Sequence, residues 1–188
     1  MAKSRKQSVG WGACKAAMRD WPRPGVIALV KELYDLSDEN RRFLHARLLP
    51  DKSEQTVEQT KAKLKRMLSA QSVFNNHFQH AQVKRLIDQY AKASDDPAAV
   101  ADLLITDLEA GFATFSQVGD FEPMVDHLYA TLERLDKCLE TLPREPALTA
   151  FVLRLNDLAA KWGAEFGYGI SDELSGFAAD WDEKVRGA

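Results

Sequence analysis

From Val125 onward the chain sets Val125, Leu128, Leu132, Leu135, Leu139 and Leu142 at alternating steps of three and four residues. A period of about 3.5 residues held this long is the seam of a tightly packed helix pair. Pro143 and Pro146 interrupt it, and Leu148, Phe151, Leu155, Leu158 and Trp162 then take up the same spacing. No run of strict apolar–polar alternation is long enough to form a strand, and no Asn-Gly hairpin turn is present. These patterns predict an all-α chain, an irregular antiparallel helical bundle or a short stack of helical hairpins. About seven to eight helices are expected, with no internal repeat of a solenoid kind.

The other helices follow from stripes and caps. Val26, Leu29, Val30, Leu33 and Leu36 lie on one face, and Ser37, Asp38 or Asn40 can cap a second helix carrying Phe43, Leu44 and Leu48 that stops near Pro50. Ser53 opens a third helix through Val57, Leu64, Met67 and Leu68, and Val83, Leu86, Ile87 and Tyr90 mark a fourth. The stretch 69–79 reads either as a loop or as helix, because Phe74 and Phe78 keep the helical phase while Asn75 and Asn76 weaken it. Asp96-Pro97 is an N-cap followed by proline at the first helical position, and Gly119-Asp120 ends that helix and caps the next. Gly167, Tyr168 and Gly169 form a turn, and Ser171 caps a last helix with Leu174, Phe177, Trp181 and Val185.

Residues 1–23 are set apart as a basic arm: Lys3, Arg5, Lys6, Lys15, Arg19 and Arg23 stand against Asp20 alone. No apolar h-region follows those charges, so a secretory signal is not expected. Trp11, Cys14, Met18 and Trp21 recur at helical spacing. The arm is therefore read as a short helix that packs through its tryptophans, with residues 24–188 as one helical domain. No stretch approaches the roughly 20 apolar residues that span a bilayer, so no membrane partner is expected. Cys14 and Cys138 form no metal-ligand spacing, and reduced thiols in a cytoplasm are the expectation.

The formal charge of −3 conceals a split by position. Residues 1–100 carry a net +7 and residues 101–188 a net −10. Lys61, Lys63, Lys65 and Arg66, then Lys84 and Arg85, form the densest basic region, with no acid between Lys61 and Ile87. Interleaved with Phe74 and Phe78, they could track a nucleic-acid backbone. Placed on a helix, however, they point several ways, so they read as a solvated face, and Phe74 and Phe78 as core. His77 and His80, three residues apart, would share a helix face if that segment is helical and are the best metal-like pair, though further ligands are lacking nearby. His45 and His127 have neighbours such as Asp126, but nothing marks them as a base. Asp102, Asp107, Glu109, Glu133, Asp136 and Glu140 read mostly as outward positions that serve solubility and docking. No GxxxxGK[ST], GxGxxG, HExxH or GxSxG motif is present.

Residues 26–48 (VIALVKELYDLSDENRRFLHARL) and 166–174 (FGYGISDEL) resemble a bacterial family of small helical proteins known only as a domain of unknown function. The shared features are a Leu-Tyr in the first helix, a Ser-x-x-Asn turn into a Phe-Leu helix, and a Gly-aromatic-Gly turn before Asp-Glu-Leu. The resemblance implies an all-helical fold and brings no activity, cofactor or catalytic residue. The sequence thus points to a non-enzymatic protein that binds another protein or a second copy of itself. Nucleic-acid binding by the basic half is the alternative, and a metal-dependent enzyme around His77 and His80 a further one.

Overall fold

Asp96 illustrates how closely local rules set this chain: its carboxylate accepts the Ala99 amide proton at 3.1 Å, and Pro97 follows as the first helical residue. The computed structural model describes residues 10–49, 53–75, 77–119, 121–164 and 169–187. Among them are ten α-helices: α1 (Trp11–Ala17), α2 (Arg23–Leu36), α3 (Asp38–Leu48), α4 (Ser53–Met67), α5 (Ala70–Phe74), α6 (His80–Ala93), α7 (Pro97–Val118), α8 (Glu122–Leu139), α9 (Thr149–Trp162) and α10 (Ile170–Arg186). A π-helical turn (Arg144–Leu148) leads into α9, and no strand occurs among the described residues. The protein is all-α, with ten helices rather than seven to eight. The surplus lies in short helices such as α5, whose five residues carry too few repeats to show a period. Ser69 starts α5 by accepting the Ser72 amide at 3.2 Å. Asp96→Ala is expected to cost about 1 kcal/mol through loss of the α7 cap, measurable by thermal denaturation.

The chain divides between Arg41 and Arg42 into two units. In the N-terminal unit, α1 and α2 bury no residue, and Trp11, Trp21, Ile27 and Leu36 are exposed. Its α2–α3 corner is tied by side chains: Asn40 Nδ2 donates to the Leu33 carbonyl at 2.6 Å, Arg41 Nε to that of Tyr34 at 3.2 Å, and Ser37 Oγ accepts the Asn40 amide at 3.1 Å.

In the second unit, α7 is the axis, packed by α4, α5, α6, α8 and α9. Every residue from Leu103 to Leu108 is buried, so α7 is enclosed on all sides in the manner of a core helix. The expected seam is present, since Val125, Leu128, Leu132, Leu135, Leu139 and Leu142 are all buried. Val83, Leu86, Ile87 and Tyr90 of α6 are buried as well. Gly119, at φ 72° and ψ −151°, occupies backbone space open essentially only to glycine and closes α7. Gly169, at φ 70°, precedes α10, and Ser171 lies inside that helix with its hydroxyl donating to the Trp162 carbonyl at 2.9 Å. Asp120 and the turn residues Gly167 and Tyr168 lie outside the described residues.

Candidate functional site

The least expected feature lies where α7 and α8 meet. Asp107 is 1% exposed and His127 1% exposed, each in the midst of apolar neighbours on its own helix. A carboxylate in such a place is costly unless hydrogen-bonded. Asp107 Oδ1 lies 2.7 Å from His127 Nε2. The single hydroxyl proton of Thr131 has two acceptors, Asp107 Oδ2 at 3.2 Å and the His127 carbonyl at 2.9 Å. On its other side, His127 Nδ1 meets Nδ1 of His80 at 2.8 Å. The result is a chain, Asp107–His127–His80, running from the core to a half-buried histidine at the first residue of α6. Phe78 closes it, its ring standing edge-on to His127 and to Phe121 with centroids 5.6 and 5.8 Å away.

Proton placement in this chain is determined by its inner end. An ionised carboxylate only accepts, so His127 Nε2 carries the hydrogen. Neutral His127 then presents a lone pair at Nδ1, and His80 must donate from its own Nδ1, leaving His80 Nε2 as the basic atom. Burial lowers the proton affinity of His80, as do His127, Lys84 and Arg134, with Asp107 opposing them. Two nitrogens ligating one tetrahedral zinc stand about 3.3 Å apart, wider than this contact. Among the described residues, no three His, Cys, Asp or Glu side chains are grouped as metal ligands.

The expectation that Asp107 points outward is therefore wrong. The condition for His77 and His80 to share a helix face is not met, because residues 77–79 are not helical; His77 is exposed and His80 faces His127. Phe74 is 65% exposed, so it is no core residue, whereas Phe78 is packed as expected. Nothing short of the packing could have revealed the His80 contact. The placement of Asp107 in the run Leu103–Phe112 was a legible sign: only Asp102, Asp107 and Glu109 are charged in all of α7.

The basic residues do not act together. Lys61 turns inward and binds Asp102 of α7 at 2.6 Å and Glu58 at 2.7 Å. Burial lowers its pKa, but those bonds outweigh it and the net shift is upward. Arg154 of α9 reaches the same Asp102 at 2.5 Å and Glu109 at 2.9 Å, again with its pKa raised by these acids against the effect of burial. These five groups clip α4, α7 and α9 together. Lys63 is half-buried, and Lys65, Arg66, Lys84 and Arg85 are exposed.

A wide concavity lies between α8 and α10. Two adjoining hollows of about 700 and 830 Å³ share Asp180, Trp181 and Lys184. Their lining includes Leu132, Leu139, Leu142, Leu148 and Trp181, all nearly buried, and the half-buried Phe177. Glu133, Asp136 and Glu140 of the α8 side, and Asp172, Glu173, Asp180 and Glu183 of α10, line the walls. The indole of Trp181 is fixed by donating to Asp136 at 3.0 Å, and Lys184 lies 4.2 Å above its ring. Much of the negative charge of the second half thus converges on one groove. Sequence periodicity placed Glu133, Asp136 and Glu140 on an outer face, but not opposite the acids of α10.

The fold and these features define an all-α protein with an Asp–His–His chain running from the core to a half-buried histidine, and a groove lined by acids beside buried aliphatic and aromatic side chains. No family model, curated protein or solved structure matches the chain.

Proposed function

We propose that this is a non-enzymatic interaction protein that docks a basic amphipathic helix of a partner protein in the α8–α10 groove. The observation that supports the reading is the groove itself, lined by seven acids with Phe177 among them, which complements a helix bearing an apolar residue on one face and Lys or Arg on its flanks. Acidic walls steer such a ligand and select against acidic ones, while the half-buried Phe177 supplies apolar contact and Trp181 backs it from the core. A second copy offers the same chemistry in its exposed segment 11–23, where Trp11 and Trp21 alternate with Lys15, Arg19 and Arg23. A homodimer is therefore the second partner to expect. The free thiols of Cys14 and Cys138 support a reducing, cytoplasmic setting, and burial pushes the Cys138 thiol up, away from nucleophilic use. The resemblance to an uncharacterised bacterial helical family belongs to the same reading and adds no activity to it.

Calorimetry with a synthetic Lys/Arg-rich amphipathic helical peptide tests this. Binding is expected to weaken about tenfold or more from low to moderate salt and to vanish in the Glu140→Lys, Asp180→Lys, Glu183→Lys variant. These three side chains are exposed, and lysine near a helix C-terminus is favourable, so the variant should fold. An acidic peptide with the same apolar face is expected not to bind. Equal affinity for wild type and variant, or no binding together with a monomer that ignores salt in sedimentation, would overturn the reading.

A further inference from the structure

We propose that the His80–His127 contact is an acid-operated latch, which holds the start of α6 and Phe78 against α7 and α8 until a second proton enters the pair and expels His80. The argument is one of proton counting. The two Nδ1 atoms face each other at 2.8 Å, so one hydrogen between them makes a bond and two make a collision. With Asp107 ionised and holding the Nε2 hydrogen of His127, the neutral pair already uses its one shared hydrogen, donated by His80. A first added proton enters at the accessible His80 Nε2 and leaves the shared hydrogen in place, its charge balanced by Asp107. A second added proton puts N–H groups on both facing nitrogens, and the contact cannot survive.

His80 is the member that leaves. His127 is enclosed and anchored by Asp107 and by its own helix, whereas His80 is half-buried on the first residue of α6. The groups around it favour expulsion. Lys84 on α6 and Arg134 on α8 are cationic, Arg134 being held by Asp88 at 2.6 Å, and Asp107 on α7 is the one opposing charge among them. The positive end of the α6 dipole adds to the same side. Departure of His80 removes the polar cover beside Phe78 and exposes the edge-on Phe78–Phe121 pair. Acidification thereby presents an apolar surface, the general manner in which histidine pairs drive switches.

The sign follows from linkage. His80 in the folded chain takes its proton less readily than free imidazole, so the unfolded or opened segment binds more protons as pH falls below about 6.5. The latch is therefore fully closed above that value, survives the first proton on His80, and is lost only at lower pH, where a second proton enters the pair.

Hydrogen exchange of the full chain at pH 7.5 and pH 5, corrected for intrinsic rates, tests the proposal. Amides in 77–84 are expected to lose protection about tenfold or more at the lower pH while the middle of α7 keeps its own. His80→Asn, which keeps a side-chain amide near the Nδ1 position and does not titrate, is expected to abolish the pH dependence. His77→Asn, at an exposed histidine, is expected to leave it intact. Nitrogen-detected NMR of the wild type at pH 8 gives a second measure, with hydrogen on Nδ1 of His80 and on Nε2 of His127. Unchanged protection in the wild type, the same loss in His80→Asn, or a His80 tautomer protonated at Nε2 would each overturn the latch.

Discussion

Asp107→Ala is expected to destabilise the protein by about 3–5 kcal/mol, the range for removing one partner of a buried polar pair. The loss is large because Asp107 serves two neighbours in a place water does not reach. Without it, His127 Nε2–H has no acceptor, and each buried group so orphaned costs about 1–3 kcal/mol. Thr131 suffers less, since its hydroxyl still reaches the His127 carbonyl at 2.9 Å. Replacing both Asp107 and His127 by leucine is expected to restore most of the stability, because an apolar pair of similar volume leaves no polar group stranded between α7 and α8. His80, half-buried, then turns to water. Urea titrations of Asp107→Leu, His127→Leu and the double variant measure this as a coupling of about 2–3 kcal/mol. A coupling near zero would mean that the pair contributes nothing as a pair.

The same two residues show where sequence reading stopped. Amphipathic stripes are legible because one face meets the core and the other meets water. Val125 to Leu142 and Val83 to Tyr90 obey that rule, and their burial follows from spacing alone. Helix α7 does not obey it. Packed by five other helices, it has no wide solvent face to which an acid could be assigned. The assumption that charged residues point outward therefore failed at Asp107 while holding for Glu133 and Glu140. His127 sits beside Leu128 on the buried side of α8, and its partner lies twenty residues away in sequence and His80 forty-seven. No local pattern encodes those distances. Lys61 was half legible for a related reason: its i+3 partner Glu58 lies on α4 and shows when that helix is turned alone, but its second acid, Asp102, is supplied by α7 and does not. The groove was half legible. Its α8 wall was on the page as an outer acidic face, while its depth depends on how α10 lies beside α8, which is a matter of tertiary packing.

Phe112 and Phe74 set a phenylalanine inside the core against one outside it. Phe112→Ala is expected to cost about 4–5 kcal/mol, the upper part of the range for truncating a core phenylalanine. Such costs grow with the cavity that remains, and this site has little freedom to collapse. Phe112 is 0% exposed on the central helix, and its neighbour Gly111 lies so close to α8 that a Cβ there would come within 2.8 Å of a Leu128 methyl. With α7 already seated this tightly on α8 and braced by four further helices, the surrounding chain cannot close over the space. Phe74→Ala removes the same atoms from a ring that is 65% exposed and should change stability by no more than about 0.5 kcal/mol. Both variants are expected to keep the wild-type dependence on urea, so that the midpoint alone moves and the difference reads as stability. Equal midpoint shifts for the two would mean that Phe74 belongs to a packed surface after all, and would return the 70–80 segment to the core.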